Sequence, residues 1–417
     1  MPTAFRLLSI VLLAAVASVS SASDQVPGAM PKGAVAIVGA TIHPVSGPVI
    51  QQGVLVFENG KITAVGQEVK VPKSAEVIQA KGKHVYPGLF EPYSRIGLTE
   101  ISSVRASDDY RESGSLNPNV KAHVSVDPDG EIIPVTRSNG VLLTMTAPAG
   151  GLISGQSAVL QLDGWTYEDM TVKPRAGMIV SLDSQQEKER LEEFFDEARR
   201  YHQGQQAKSK LLHDARLESM DKVLSGKQPI IIQANRENAI TRAVTFANDQ
   251  QVKLVIFGGY DAPRCRELLK KHDVPVIVSA IHRNPSRRDD PYDAAYTLPK
   301  RLQEAGIRFC ISGYERSNSW NVRNLPYHAA TAVAFGLGKE DAMRAITLSP
   351  AEILGVADRV GSLEKEKDAT LFICDGDPLE AATQVESAWI GGKPVDLSNK
   401  QTMLYDKYQQ KYEQLKK

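Results

Sequence analysis

The sequence predicts an α/β fold, a TIM-like (β/α)8 barrel accompanied by a small composite β-sandwich built from both chain ends. Three observations carry that expectation. Short β-rich runs cluster at residues 33–84 and again at 358–398, and neither cluster alone is large enough for a robust core. The stretch between them, 85–357, alternates apolar runs with helical patterns, as βα units do. Those apolar runs are continuous instead of alternating with polar residues, which suits parallel strands covered on both faces.

Taken in order, the chain opens on Arg6, an apolar run from Leu7 to Val19 and small residues to Ser23. That run is too short to cross a bilayer comfortably, so 1–22 reads as an export signal and the protein as periplasmic or secreted. An uncleaved anchor is the alternative. In the first β cluster, Asn59-Gly60 lies between Gly53–Phe57 and Ile62–Val65, the strongest short hairpin signal. The middle region offers strands at 141–145, 229–233, 253–257, 274–278 and 308–312, with helices between them, the first a long charged one over 185–215. Residues 100–129 interrupt the βα rhythm with charged and turn residues, an insertion expected at the barrel mouth. After 358 the strands return, and 399–417 is a polar, Tyr-dotted helix or tail.

Composition excludes several classes. Lys+Arg and Asp+Glu both number 49 in 417 residues, so no global field points to nucleic acid or an anionic membrane. Three cysteines, Cys265, Cys310 and Cys374, are too few and too scattered for a disulfide framework.

Val85-Tyr86-Pro87-Gly88-Leu89-Phe90-Glu91-Pro92-Tyr93 resembles the first barrel strand of the amidohydrolase superfamily. So do Ser349-Pro350-Ala351-Glu352-Ile353-Leu354-Gly355, Lys367-Asp368-Ala369-Thr370-Leu371 and Trp389-Ile390-Gly391-Gly392-Lys393-Pro394-Val395, which are similar to its return and closing motifs. The resemblance spans about 34–398 and points to the imidazolonepropionase-like exported branch. It implies hydrolysis of C–N bonds in small amides, cyclic amides or dipeptide-like molecules. It also implies a metal held by a His-x-His pair on the first strand, a Lys on the fourth, His on the fifth and sixth, and Asp on the eighth. In this sequence Glu91 and Tyr93 stand at the His-x-His positions, Gln233 or Asn235 at the fifth, and Gly313 near the eighth. Lys173 is a guess for the fourth. Amide oxygens are weak zinc ligands beside imidazole, and without the metal nothing lowers the pKa of bound water from 15.7 toward about 7.

The expected catalytic groups are therefore Glu91, His282 and Glu315, and the expected substrate-binding groups Tyr93, Arg95, Arg137, Gln233, Asn235 and His328. Glu91 is a general base if burial lifts its pKa, or else a carboxylate paired to Arg95 or Arg137. His282 follows a barrel strand in a heavily charged loop, and His328 lies on the helix after the last strand. Arg137, with Asn139, Arg105, Asp108 and Asp109, suits a carboxylate clamp or, equally, an ion-pair network. The glycine-rich run Gly150–Ser157 lacks nucleotide-binding spacing and reads as a tight active-site loop. No metal or other cofactor is expected, with a divalent ion at a nonstandard site left open. The expected partner is a small-molecule substrate or ligand, with no nucleic acid and no membrane after signal removal. A possible homodimer rests on fold analogy alone. The alternative to a hydrolase is a metal-free pseudoenzyme binding a small ligand or a partner.

Overall fold

A computed structural model describes residues 25–101, 103–209, 212–314 and 319–416. The expected export signal at 1–22 and the candidate Glu315 lie outside the described residues.

The chain begins in a sheet module. Strands β1 (Val35–Ile42), β2 (Ile50–Glu58) and β3 (Lys61–Gly66) form an antiparallel meander, β4 (Glu76–Gln79) pairs parallel to β1, and β5 (His84–Pro87) continues the sheet. Asn59 and Gly60 both take positive φ, 50° and 82°, so the expected hairpin closes with the twist that favours Asn-Gly. The chain leaves this module at β5 and returns to the same edge some 280 residues later as β14 (Leu371–Cys374), β15 (Val385–Ile390) and β16 (Lys393–Val395). Hydrogen bonding joins all eight strands in one sheet. Ile37, Leu55, Phe57, Leu371 and Trp389 share its core, with the Phe57 and Trp389 rings edge to face at 5.9 Å.

The second sheet is the barrel: β6 (Leu89–Ser94), β7 (Val141–Thr146), β8 (Ile153–Gln161), β9 (Thr171–Val180), β10 (Ile230–Ala234), β11 (Leu254–Gly258), β12 (Val276–Val278) and β13 (Phe309–Ile311). Alternate side chains divide between two cores. Ile230 and Ile232 pack outward against the helices, while Ile231, Val255, Phe257 and Cys310 fill the interior. The pairs β6–β7 and β9 through β13 are parallel, but β8 runs antiparallel to both its neighbours. Gly150 and Gly151, with φ of 99° and 72°, reverse the chain before it. The run expected to be a loop thus ends in a strand.

Lys173 lies near the start of β9, away from the mouth, where its ammonium donates to Leu354 O at 2.8 Å. The long charged helix stops at Gln206, and a separate short turn follows at Ala215–Glu218. The inserted arm does reach the mouth: Gln156 N–H donates to Val120 O at 2.8 Å and Asn117 N–H to Ile153 O at 2.9 Å. A helix over Lys400–Leu415 closes the described chain and buries none of its residues. Among the described residues no helix is long and apolar enough to cross a membrane.

Candidate binding site at the mouth of the barrel

The mouth is built on β6, whose register against β7 shifts on both sides of the Phe90–Glu91 step. Glu91 is fully buried. Its carboxylate accepts the Tyr93 N–H at 3.1 Å, the Gly313 N–H at 2.7 Å and the Ser312 hydroxyl, a group 221 residues away in sequence. Both oxygens are therefore engaged across the junction of the first and last barrel strands. Burial pushes the Glu91 pKa up to about 8, against the pull of Ser312, Gly313 and Tyr93. The expected ion pair with Arg95 or Arg137 is replaced by these neutral donors.

Tyr93 takes the second His-x-His position. Its ring stacks on Phe257 of β11, with centroids 4.0 Å apart and planes within 10°, and Tyr314 tilts against it at 5.5 Å. Arg95 lies beyond, its guanidinium 4.0 Å from the Tyr110 ring centroid and 5.7 Å from that of Tyr314. The Arg95 Nε is buried and has no hydrogen-bond partner among the described residues. Above this floor opens a cavity of about 260 Å³ lined by Tyr93, Arg95, Ser154, Asp183, Gln233 and Phe257, among others. Gln233 is exposed into it, in line with expectation.

The remaining expected residues lie elsewhere. Asn235 is half-buried behind the strands, its Oδ1 so near Gly258 that a β-carbon there would approach to 2.6 Å. His282 and His328 stack at 4.0 Å. The Thr331 hydroxyl lies 2.7 Å from His282 Nε2 and 2.9 Å from Tyr327 O. Burial, with His282 beside it, lowers the His328 pKa to about 3, and its buried Nδ1 has no partner among the described residues. His328 is buried against Gly313, while His282 is exposed.

Arg137 is a correction to the expected clamp. It ends the helix Ile132–Arg137 that returns the chain to the opposite end of the barrel, before β7. There its guanidinium donates to Asp163 at 2.7 Å, Leu162 O at 3.0 Å, Asp396 O at 3.1 Å and the Gln25 side chain. Asn139 likewise serves packing, donating to Arg323 O at 2.7 Å.

Asp183 was not legible as a site residue, and Ser154 was legible only as part of the glycine-rich run expected at the active site. One signal was present: Ser184 and Glu187 form a capping box that starts the helix Gln185–Gln206, which places Ser181 and Asp183 at the end of a strand.

The divalent ion associated with this kind of fold does not fit these side chains. The Glu91 oxygens are already bonded, the rings of Tyr93 and Phe257 occupy the space between strands, and Gly313 offers no side chain. Among the described residues no three His, Cys, Asp or Glu side chains are grouped to hold a metal.

Comparison with known proteins agrees with the architecture. Residues 263–397 match the pattern of the amidohydrolase family. An amidohydrolase of Thermotoga maritima MSB8 superposes with a TM-score of 0.80 at 25% identity, covering 87% of this chain and 99% of that one. A zinc-bound adenosine deaminase of Xanthomonas campestris shares the fold alone, with a TM-score of 0.51 at 15% identity over 92% of this chain and 98% of that one. Amidohydrolase tasK of Hapsidospora irregularis is 21% identical over 389 residues, which is 82% of this chain but only 39% of that longer protein. Residues 263–397 thus match an amidohydrolase family pattern, and the chain is similar in its barrel-and-sheet architecture to solved amidohydrolases.

Proposed function

We propose that the mouth binds a small organic molecule carrying a carboxylate beside an amide or flat ring, and that the chain works as an exported binding protein without a hydrolytic metal. The observation that carries this reading is Arg95. Its guanidinium edges a cavity floored by the Tyr93–Phe257 stack, and its Nε lacks a partner among the described residues. An unpaired buried donor is costly, and a planar guanidinium answers a carboxylate with two parallel hydrogen bonds. Gln233 supplies both a donor and an acceptor for an amide, and the aromatic floor supplies stacking area. The cavity suits a molecule the size of an N-acyl amino acid or a dipeptide.

A second reading follows from the family match over 263–397: hydrolysis of C–N bonds in small amides, cyclic amides or dipeptide-like molecules, through His282 and Glu315 at a nonstandard site. One experiment separates the two. Mature protein is screened by thermal shift against N-acyl amino acids and dipeptides, with mass spectrometry of the ligands after prolonged incubation. Ligand at about a hundred times its Kd stabilises the native state by about 2.7 kcal/mol, an upward shift of a few degrees that Arg95→Ala abolishes. Recovery of intact ligand is expected. Turnover that survives Arg95→Ala and vanishes in His282→Ala would transfer the assignment to the second reading.

A further inference from the structure

The helix Lys400–Leu415 presents a problem of stability. An isolated helix of about 12–15 residues is marginal in water, and this one is little longer, contains three tyrosines and buries none of its residues. Its start is well made, with Asn399 Oδ1 accepting the Gln401 and Thr402 N–H groups at 2.9 and 3.2 Å. A cap adds only about 1 kcal/mol, which does not hold sixteen residues away from a core.

The sequence of the helix shows what is missing. Tyr405, Tyr408, Tyr412 and Leu415 recur at intervals of three and four, and all are between 49% and 70% exposed. That spacing lays them along one seam, with Leu404 at its edge. Lys400, Lys407, Lys411 and Lys416 outnumber Asp406 and Glu413, so the element is basic as well as amphipathic. At its root lies a groove of about 740 Å³ in which acidic groups outnumber basic ones, lined by Glu100, Asp127, Asp129 and Glu131 against Arg323 and the helix's own Lys400, and by the exposed apolar side chains Ile101 and Trp320.

We propose that this helix is the dimerisation arm of the chain and that its partner is a second copy. Two arms lie antiparallel across a two-fold axis, seam against seam. Each spans about 24 Å at 1.5 Å per residue, so that the basic tip of one, Lys411 and Lys416, reaches the acidic groove at the root of the other. Charge selects this partner. The helix alone pairs poorly with another basic helix, whereas reciprocal exchange brings every basic tip to an acidic root. The arrangement buries the seam and supplies the packing that the helix lacks among the described residues of its own chain.

The test uses the full mature chain in sedimentation velocity across a wide concentration range. A dimer is expected. The pair Tyr408→Glu and Tyr412→Glu yields monomer with an unchanged main melting transition, because these side chains are buried against nothing in their own subunit. Asp129→Lys with Glu131→Lys weakens the dimer at least tenfold, and adding Lys411→Glu with Lys416→Glu restores it. A monomer at every concentration, a dimer indifferent to the seam, or charge reversal without rescue overturns the proposal. So does seam-dependent binding to anionic lipid vesicles by a protein that stays monomeric.

Discussion

At the scale of single residues, Glu91 and His328 stand on either side of Gly313 and face opposite penalties from burial. Glu91 has its pKa raised to about 8, so the native state keeps a proton that the unfolded chain releases near the ordinary carboxylate value. Its contribution to stability is full at low pH and declines as pH rises toward 8. His328, with its pKa lowered to about 3, behaves in the reverse sense: the unfolded chain takes up a proton below about 6.5 that the native state refuses, so stability falls as pH drops through that range. His43, lowered to about 4 by burial and by His84 beside it, adds to the acid limb. Urea denaturation followed against pH is therefore expected to show greatest stability on the acid side of neutrality. Glu91→Gln preserves the shape of the latch and flattens the decline between pH 6.5 and 8, which amounts to a few kcal/mol at most. Glu91→Ala instead strands the Gly313 and Tyr93 N–H groups and costs roughly 3 kcal/mol or more. An unaltered alkaline limb in the Gln variant would show that Glu91 is ionised in the native state. That Glu91 ends the first barrel strand was legible in the sequence. What it bonds was not, because Ser312 and Gly313 become its neighbours only when the barrel closes.

At the scale of elements, the sheet hairpin, the parallel strands β10 to β13 and the closing motifs were readable from local pattern, since each is a run of apolar residues bounded by turn chemistry. The mouth was half readable: Tyr93, Arg95 and Gln233 line it, whereas Asn235 packs against Gly258, His328 against Gly313, and His282 is exposed. The antiparallel strand β8 was hidden because its first half, Ile153 to Ser157, carries a glycine and two serines that propensity assigns to a loop. Tertiary contact overrides propensity there. Gly155 takes φ of 133°, a region that side chains avoid, and a β-carbon on it would lie 2.8 Å from the Val120 carbonyl oxygen of the inserted arm. Close approach of backbone to backbone is what that glycine permits. Gly155→Ala is expected to destabilise by about 2 kcal/mol, read as a lower urea midpoint, and to raise proteolysis within 100–129 before the barrel itself opens. Cleavage of the arm at the wild-type rate would show that β8 does not depend on this contact.

At the scale of the whole molecule, the sheet module and the barrel are joined by backbone on both sides, as β5 runs into β6 and Gly88 N–H donates to Thr370 O at 3.0 Å. A buried polar tie is made by Arg137, which binds Asp163 at the base of the barrel and the carbonyl of Asp396 just past β16. Both partners of this ion pair are about 5–6% exposed. Burial outweighs their mutual attraction, pushing the Asp163 carboxyl up and the Arg137 guanidinium down. A pair of that kind adds little beyond what well-packed apolar side chains of equal volume supply, but removing one member leaves the other charged and enclosed. Arg137→Ala is thus expected to cost about 3–5 kcal/mol, while Arg137→Met with Asp163→Leu costs far less than the sum of the two single changes. Because the tie spans both modules, the loss displaces one cooperative calorimetric transition to lower temperature. If the sheet module instead melted ahead of the barrel in Arg137→Ala, with the barrel transition unmoved, the two parts would be separate folding units and the junction a local contact only.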